Sequence, residues 1–396
     1  MTLPAGALEG IVVVDLSRVL AGPYCGQLLA DHGASVIKVE GPQGDETRSW
    51  GSAKSVEGQS AYFEGLNRSK RNLGLDLAQP EARDALRRLL RNADVVLDNF
   101  KSGTMQRWGL GYPELADANP SLIACTISGY GDTGPLGKMP GYDSVLQAFS
   151  GLMSVTGESS GGSTRIGVPL VDIVAGLHAF SGILLALRDR ERTGIGQEVE
   201  VTLLDSALAL MHPHAADWLS SGNVAERTGN AHPMVAPYQV FESATGPIFI
   251  AASNDRQFTT LVEVLGEPEI ALDPRFTTNL HRVRNRQALA QALAPSIAQR
   301  GSAQLAQDLM DRGVAASAVN DVGQALSAEQ VVARESIVSA EGYRGVRTPV
   351  RLSRSGNGPT MAPVARGAHT AEVLREAGLT EAQIASMVSS GAALVN

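Results

Sequence analysis

Asp172 stands in Gly167-Val168-Pro169-Leu170-Val171-Asp172, where a proline opens an apolar, helix-patterned stretch and Arg165 is the one basic residue close by in the sequence. A carboxylate can serve nucleophilic or acid–base chemistry. In the first turn of a helix it is ordinarily a partner for the free amides and the helix dipole, and spacing alone favours that second use. Asp143, in Gly141-Tyr142-Asp143, reads as a cap in the same way. The turn Leu20-Ala21-Gly22-Pro23 follows an apolar run, and its small residues let a ligand approach the backbone just before a helix N-terminus. In an α/β sheet such a turn is either an anion site or plain architecture, and both readings stay open at this point.

Other motifs lose their chemistry on inspection of their flanks. Gly129-Tyr130-Gly131-Asp132-Thr133-Gly134 has the dinucleotide spacing, but Pro135, Gly137, Pro140 and Gly141 follow where a helix would have to start. Gly157-Glu158-Ser159-Ser160-Gly161 spells a nucleophile elbow between segments that read as loop. There is no phosphate-binding G-x-x-x-x-G-K-[ST] and no H-E-x-x-H, and His212 and His214 at i and i+2 do not share a helix face, so no metal site is expected. Cys25 and Cys125 read as small buried apolar residues.

The elements that must position these groups begin with a β-α-β unit: Gly10 to Leu16, a helix from Pro23 to His32, and Ser35 to Glu40. Unbroken apolar runs of this kind mark strands covered on both faces, so the fold class is α/β with a parallel sheet. A helix at Glu81 to Ala93, strands at Asp94 to Leu97 and Leu122 to Ser128, a helix at Pro169 to Arg188, a strand at Glu198 to Thr202 and one long helix to about Leu219 follow. From residue 222 the character changes to a strand pair near Tyr238 to Phe241 and Ile248 to Ala252, then helices at Gln257 to Leu265, Arg286 to Gln299 and Ala303 to Arg312. The expected division is a large domain over 1–221, a small α+β domain over 222–334, and a return to the large domain over 335–396. Arg351 to Ala365 reads as irregular chain, before helices at Thr370 to Ala377 and Glu381 to Val388.

With 396 residues, 43% hydrophobic and 19% charged, the composition is globular, and a net charge of −8 opposes binding to nucleic acid and to anionic membranes. The arginines of the Glu81 helix read as a solvated face. Met1 to Gly10 lacks a signal-peptide pattern, and the longest apolar run, around Ile183 to Leu187, is too short to span a bilayer, so the expected location is cytoplasmic.

A set of short segments changes the weight of Asp172. These are Asp15-Leu16-Ser17-Arg18-Val19-Leu20-Ala21-Gly22-Pro23, Gly33 to Glu40, Asn67-Arg68-Ser69-Lys70-Arg71 with Leu75-Asp76-Leu77, Asp98-Asn99-Phe100, Gly167-x-Pro169-x-x-Asp172 and Thr193-Gly194-x-Gly196-Gln197, with His369-Thr370 and Val373-Leu374 near the end. In this order and spacing the chain resembles the family III CoA-transferases, the CaiB/BaiF family. The resemblance implies a Rossmann-like large domain completed by both chain ends, a smaller domain between them, and an interlocked homodimer. It implies no permanently bound cofactor: coenzyme A thioesters and carboxylates are the substrates. Asp172 matches the nucleophilic aspartate, while Leu20, Ala21, Leu75, Asp76, Asn99, Phe100, Lys101, Arg107, Tyr142 and Asp143 match positions that hold CoA.

The implied chemistry is attack of Asp172 on an acyl-CoA, a mixed anhydride, and return of CoA thiolate to give an aspartyl thioester, which the acceptor acid reverses. Amides near Ala21 and the Tyr142 hydroxyl are the expected oxyanion donors. The formyl-CoA branch has a glutamine where this chain has Leu20, a basic residue where it has Gly41, and a glycine-run lid not found near Ala251 to Asp255, which argues against formate and oxalate. The racemase branch has a histidine where this chain has Tyr142 and glycines at Ile173-Val174-Ala175, so racemisation is the second reading and non-catalytic CoA binding a third. Arg227 to Pro233 with Pro237-Tyr238 resembles the small-domain stretch of transferases of succinate-like acids. Arg165, Arg227 and His232 are accordingly expected to hold the acceptor, with succinyl-CoA as donor.

Overall fold

The computed structural model describes residues 6–51 and 59–396. Six strands, β1 (Val12–Asp15), β2 (Ser35–Glu40), β3 (Lys70–Leu75), β4 (Val95–Asp98), β5 (Ile123–Ser128) and β6 (Glu198–Thr202), form a parallel sheet in the order 3-2-1-4-5-6. The short strand Ala393–Leu394 adds antiparallel to the β3 edge, with Ala393 opposite Leu75, so the C-terminal chain completes this sheet. Val13, Val14, Val95, Leu97, Ile123 and Cys125 are wholly buried, as strands covered by helices on both faces require. The strand order is that of a doubly wound nucleotide-binding sheet, which reverses direction between β1 and β4 and opens a crevice there at the carboxyl ends of the strands.

Two compact units divide the chain: 1–152, 166–216 and 333–396 in the first, and 153–165 with 217–332 in the second. The excursion 153–165 was not expected. Arg227 draws it in by donating to the carbonyls of Ser154, Glu158 and Gly161, and Gly229 N–H donates to Gly157 O at 3.1 Å. In the second unit β7 (Tyr238–Ser243), β8 (Gly246–Ala251) and β9 (Ala315–Ala318) make an antiparallel sheet around a core that includes Phe258, Leu261, Leu293 and Leu309. The single helix expected up to Leu219 is two, Leu203–Ala209 and His214–Ser221, because Pro213 supplies no amide hydrogen and cannot continue the first.

The helix Leu170–Thr193 needs a second correction. No Asp, Glu, Lys or Arg lies between Asp172 and Arg188, and the helix reaches a mean hydropathy of 2.0 over 18 residues, long and apolar enough by length and composition to cross a membrane. Counting only unbroken apolar runs missed this, because Gly176, His178, Ser181 and Gly182 interrupt them. A core helix of a globular unit passes the same test, and Val171, Ala175, Ala179 and Ile183 are fully buried here. Gly176 permits that packing: a Cβ there would sit 2.6 Å from the Ala21 carbonyl oxygen, so the helix lies directly against the first turn of Ala21–Asp31.

Candidate functional site

The loops at the carboxyl ends of β1, β4 and β5 border an open cleft, lined among others by Arg18, Val19, Leu20, Ala21, Asn99, Phe100, Lys101, Lys138, Tyr142 and Asp172. A second cleft shares Phe100, Lys101, Ser102 and Ser128 with it. Both of the loop motifs set aside from sequence are indeed irregular chain. Gly129 nonetheless has a use, since its Cα side faces Gly141 so closely that a Cβ would lie 2.7 Å from the Gly141 Cα. That approach brings Tyr142 to the cleft wall.

Asp172 lies in the first turn of its helix, whose N-cap position is Pro169 and has no capping side chain. The capping acceptor comes from elsewhere. The Asp143 carboxylate, on the helix Asp143–Phe149, accepts from the amides of Val171 at 2.8 Å and Asp172 at 3.3 Å. Its other oxygen accepts from Gln147 Nε2 at 2.6 Å, and Gln147 Oε1 accepts from Ile166 N–H at 2.9 Å. The strand of chain leading to Asp172 is thus pinned at both ends to one helix. Asp143 is the cap expected from sequence, though for the neighbouring helix and not its own; it is buried and lines no cleft.

Burial, and then the negative charge of Asp143, push the Asp172 carboxyl up from 3.8 to about 7. The sign for stability follows: a folded-state pKa raised above the unfolded value gives stability present below the unfolded pKa and lost as pH rises through about 7. Asp172→Asn should melt higher than the parent chain at mildly alkaline pH, and the margin should shrink as the buffer is taken down toward 3.8. Scanning calorimetry across that range checks it, and a margin that grows toward acid contradicts the burial of a charge at this position.

Leu20 and Ala21 are both 4% exposed and both line the cleft. Their amide hydrogens find no acceptor among the described residues, as expected of the first turn of a helix. The preceding residue, Val19, has φ of 71°, a conformation that costs a β-branched side chain about 1–3 kcal/mol. Asn99 clamps the same turn, accepting from Arg18 N–H at 2.9 Å and donating to Arg18 O at 2.7 Å. Tyr142 is 66% exposed at the cleft wall.

The cleft also gathers groups the sequence reading passed over. Arg18, quoted there only as part of a motif, holds its guanidinium 5.8 Å from the Phe100 ring centroid, and Lys138 joins it and Lys101 as the third lining cation. Three cations suit a ligand carrying several phosphate charges. Outside the cleft lining, the Tyr62 hydroxyl is raised to about 12 by burial and by Asp172, Asp143 and Asp45 and stays protonated. Nothing in its sequence neighbourhood marks it. By contrast Leu75 is wholly buried, Asp76 is turned onto Ala78 N–H and the Gln79 amide, and Arg107 bonds Thr104 Oγ1 at 2.9 Å; none of these three lines either cleft. Arg165, Arg227 and His232 belong to the second unit. Arg227 is spent on three carbonyls, and His232 accepts from Met234 N–H at 3.2 Å with its ring against Tyr238.

The description "CoA-transferase family III" matches residues 8–370. The chain belongs to that family. It is 40% identical over 380 residues to the succinate–glutarate CoA-transferase of Agrobacterium fabrum, covering 93% of this chain and 95% of that one. It is 39% identical over 352 residues to the acetyl-CoA:oxalate CoA-transferase of Acetobacter aceti, covering 88% and 90%. A crystal structure of a CaiB/BaiF family protein from Brucella suis superposes with a TM-score of 0.88 at 41% identity, over 94% of this chain and all of that one. The protein is accordingly a CoA-transferase enzyme, of a family that acts on CoA thioesters and carboxylic acids.

Lys101 borders both clefts and Arg107 neither, which ranks two cations that sequence had treated alike. Lys101→Ala should raise the KM for an acyl-CoA about tenfold with kcat little changed, and Arg107→Ala should do less. Equal KM values for the parent and the Lys101 variant, or for CoA and dephospho-CoA esters with the parent, would remove Lys101 from the phosphate site.

Proposed function

We propose that this CoA-transferase carries CoA from succinyl-CoA to a second dicarboxylic acid on Asp172. The observation that carries the reading is the Asp172 carboxylate on the cleft wall, fixed through Asp143 and sharing that cleft with the unpaired amides of Leu20 and Ala21. One carboxylate oxygen attacks the thioester carbonyl, the C–S bond breaks, and CoA leaves as thiolate from the mixed anhydride. The thiolate then attacks the aspartyl carbonyl, releasing the donor acid with one oxygen from Asp172 and leaving an aspartyl-CoA thioester. The acceptor carboxylate repeats the steps in reverse and leaves one of its own oxygens on Asp172. Each addition creates an oxyanion, for which the two amides and the Tyr142 hydroxyl are the donors.

A pKa of about 7 keeps Asp172 partly ionised at neutral pH while stripped of much of its water, which is the compromise a carboxylate nucleophile needs. Racemisation is disfavoured by Tyr142 at the histidine position. Dicarboxylate specificity is supported by the Agrobacterium relative, named for succinate and glutarate, whereas the Acetobacter one pairs a dicarboxylic acid, oxalate, with an acetyl-CoA. Arg165, Arg227 and His232 are this reading's groups for the far carboxylate, which Arg227 would bind in exchange for the carbonyls of Ser154, Glu158 and Gly161. The interlocked homodimer and the cytoplasmic location also belong to it, and Leu185, 73% exposed on an otherwise apolar helix, is a surface such a partner would cover.

With succinyl-CoA as donor, succinate exchange and transfer to glutarate, mesaconate, itaconate and malate should outrun butyrate by about tenfold or more, and Arg227→Met should narrow that gap. Product mass spectrometry over the acid panel measures it. If butyrate is the better acceptor of the intact enzyme, the dicarboxylate assignment falls while the CoA-transferase assignment stands.

A further inference from the structure

The turn from Ser17 to Pro23 is held by two buried ion pairs that the reaction itself does not use. Lys38 and Asp45 meet at 3.0 Å with side chains 1% and 0% exposed, and Asp15 and Lys70 do the same at 3.0 Å with 0% and 1%. Lys38 Nζ also donates to Ser17 O at 2.9 Å, and Lys70 Nζ to Pro23 O at 2.7 Å, so each end of the turn rests on a buried ammonium. Ser17 is fixed from the other side, its amide donating to Asp15 at 3.0 Å and its hydroxyl bonded to the same oxygen. Asp45 takes the Val19 amide hydrogen between its two oxygens, at 3.3 and 3.4 Å, and is itself oriented by Thr47 N–H at 3.0 Å and Thr47 Oγ1 at 2.7 Å.

A valine has no local reason to adopt φ of 71°. The conformation needs an acceptor outside the turn that captures the Val19 amide, and Asp45 is that acceptor. The next two residues, Leu20 and Ala21, line the cleft, and their amides have no acceptor among the described residues. An isolated buried charge would not be tolerated in either place, which is why each carboxylate has its ammonium.

We infer that the Lys38–Asp45 pair is a positioning device for the oxyanion site: by holding Val19 in the left-handed region it aims the Leu20 and Ala21 amides into the cleft that Asp172 lines. The inference rests on the covalent reading proposed above. It makes Lys38 and Asp45 positioning residues that touch no substrate. Their loss acts on the stabilisation of the tetrahedral addition and leaves acyl-CoA binding in place.

The test replaces the pair as a unit, so that no lone charge is left to unfold the protein. Lys38→Met/Asp45→Leu should keep a melting temperature near that of the parent, hold the KM for succinyl-CoA within about twofold, and lower kcat with glutarate about 100-fold. Lys38→Met/Asp45→Asn retains an acceptor for the Val19 amide and should recover about tenfold of that loss, as should adding Val19→Gly, which relieves the conformation directly. Rescue by these two changes is what a merely structural role would not give. A folded Leu variant with parental kcat overturns the inference, and so does an Asn variant as slow as the Leu variant. If the Leu variant does not fold, the Asn variant with and without Val19→Gly decides: kcat raised by the glycine supports the device, and kcat unmoved or lowered refutes it. A parent enzyme that turns over without needing Asp172 would instead remove the covalent reading, so the two failures are told apart in one set of assays.

Discussion

Asp172→Ala should lower CoA transfer by about ten-thousand-fold or more while leaving acyl-CoA binding close to that of the parent chain. The expectation follows from where the group sits. Its carboxylate lines the cleft, yet the cations available to CoA's phosphates, Arg18, Lys101 and Lys138, belong to other loops and are untouched by the change. The two amides of Asp172 and Val171 stay bonded to Asp143, so the helix start is preserved. Steady-state rates with succinyl-CoA and glutarate, together with calorimetric titration of CoA, separate the two effects. A variant that turns over at a near-parental rate would rule out covalent transfer, and one that loses CoA binding as well would mean the side chain is part of the CoA site.

Asp143→Ala should produce the second largest loss. It removes the acceptor of two helix-start amides, which costs about 1–2 kcal/mol of stability, and releases the chain that carries Asp172, with kcat falling about 100-fold. Asp143→Asn isolates the charge. Attack needs ionised Asp172, so kcat/KM of the parent should fall about tenfold per pH unit below a limb near 7. Burial is the larger cause of that raised value and Asp143 the second, so the asparagine variant should carry the limb part of the way toward acid. A limb that stays in place, or moves toward alkali, would mean that Asp143 does not bear on the nucleophile electrostatically.

The sheet was legible because β1, β2, β4 and β5 are apolar runs with two covered faces, and periodicity reports that directly. Strand β3 was not marked as one. Its residues, Lys70-Arg71-Asn72-Leu73-Gly74-Leu75, look like a polar surface turn, and it is the distant Asp15 and Pro23 carbonyl, with Asn67, that make Lys70 burial possible. The same limit hid the network around Val19: ion pairs such as Lys38 with Asp45 connect residues whose partnership no local spacing announces. Asp172 itself was ambiguous by spacing, and its proposed role comes from the family resemblance. The structure adds what neither supplied, namely that Asp143 caps its helix from another element and raises its pKa. Of the matched CoA positions, the clefts collect Leu20, Ala21, Asn99, Phe100, Lys101 and Tyr142, while Leu75, Asp76 and Arg107 are spent on core packing and local hydrogen bonds.

The most direct test of Asp172 as covalent carrier follows oxygen atoms. The parent enzyme is turned over once with succinyl-CoA and glutarate labelled in its carboxylates with heavy oxygen, then digested, and the peptide containing residue 172 is weighed. The mixed-anhydride route leaves one acceptor oxygen on the enzyme for each transfer, so Asp172 should carry a single heavy atom located by fragmentation. Glutaryl-CoA formed with the aspartate still unlabelled would show that the acceptor never bonded to the enzyme, and the account of this site would be wrong.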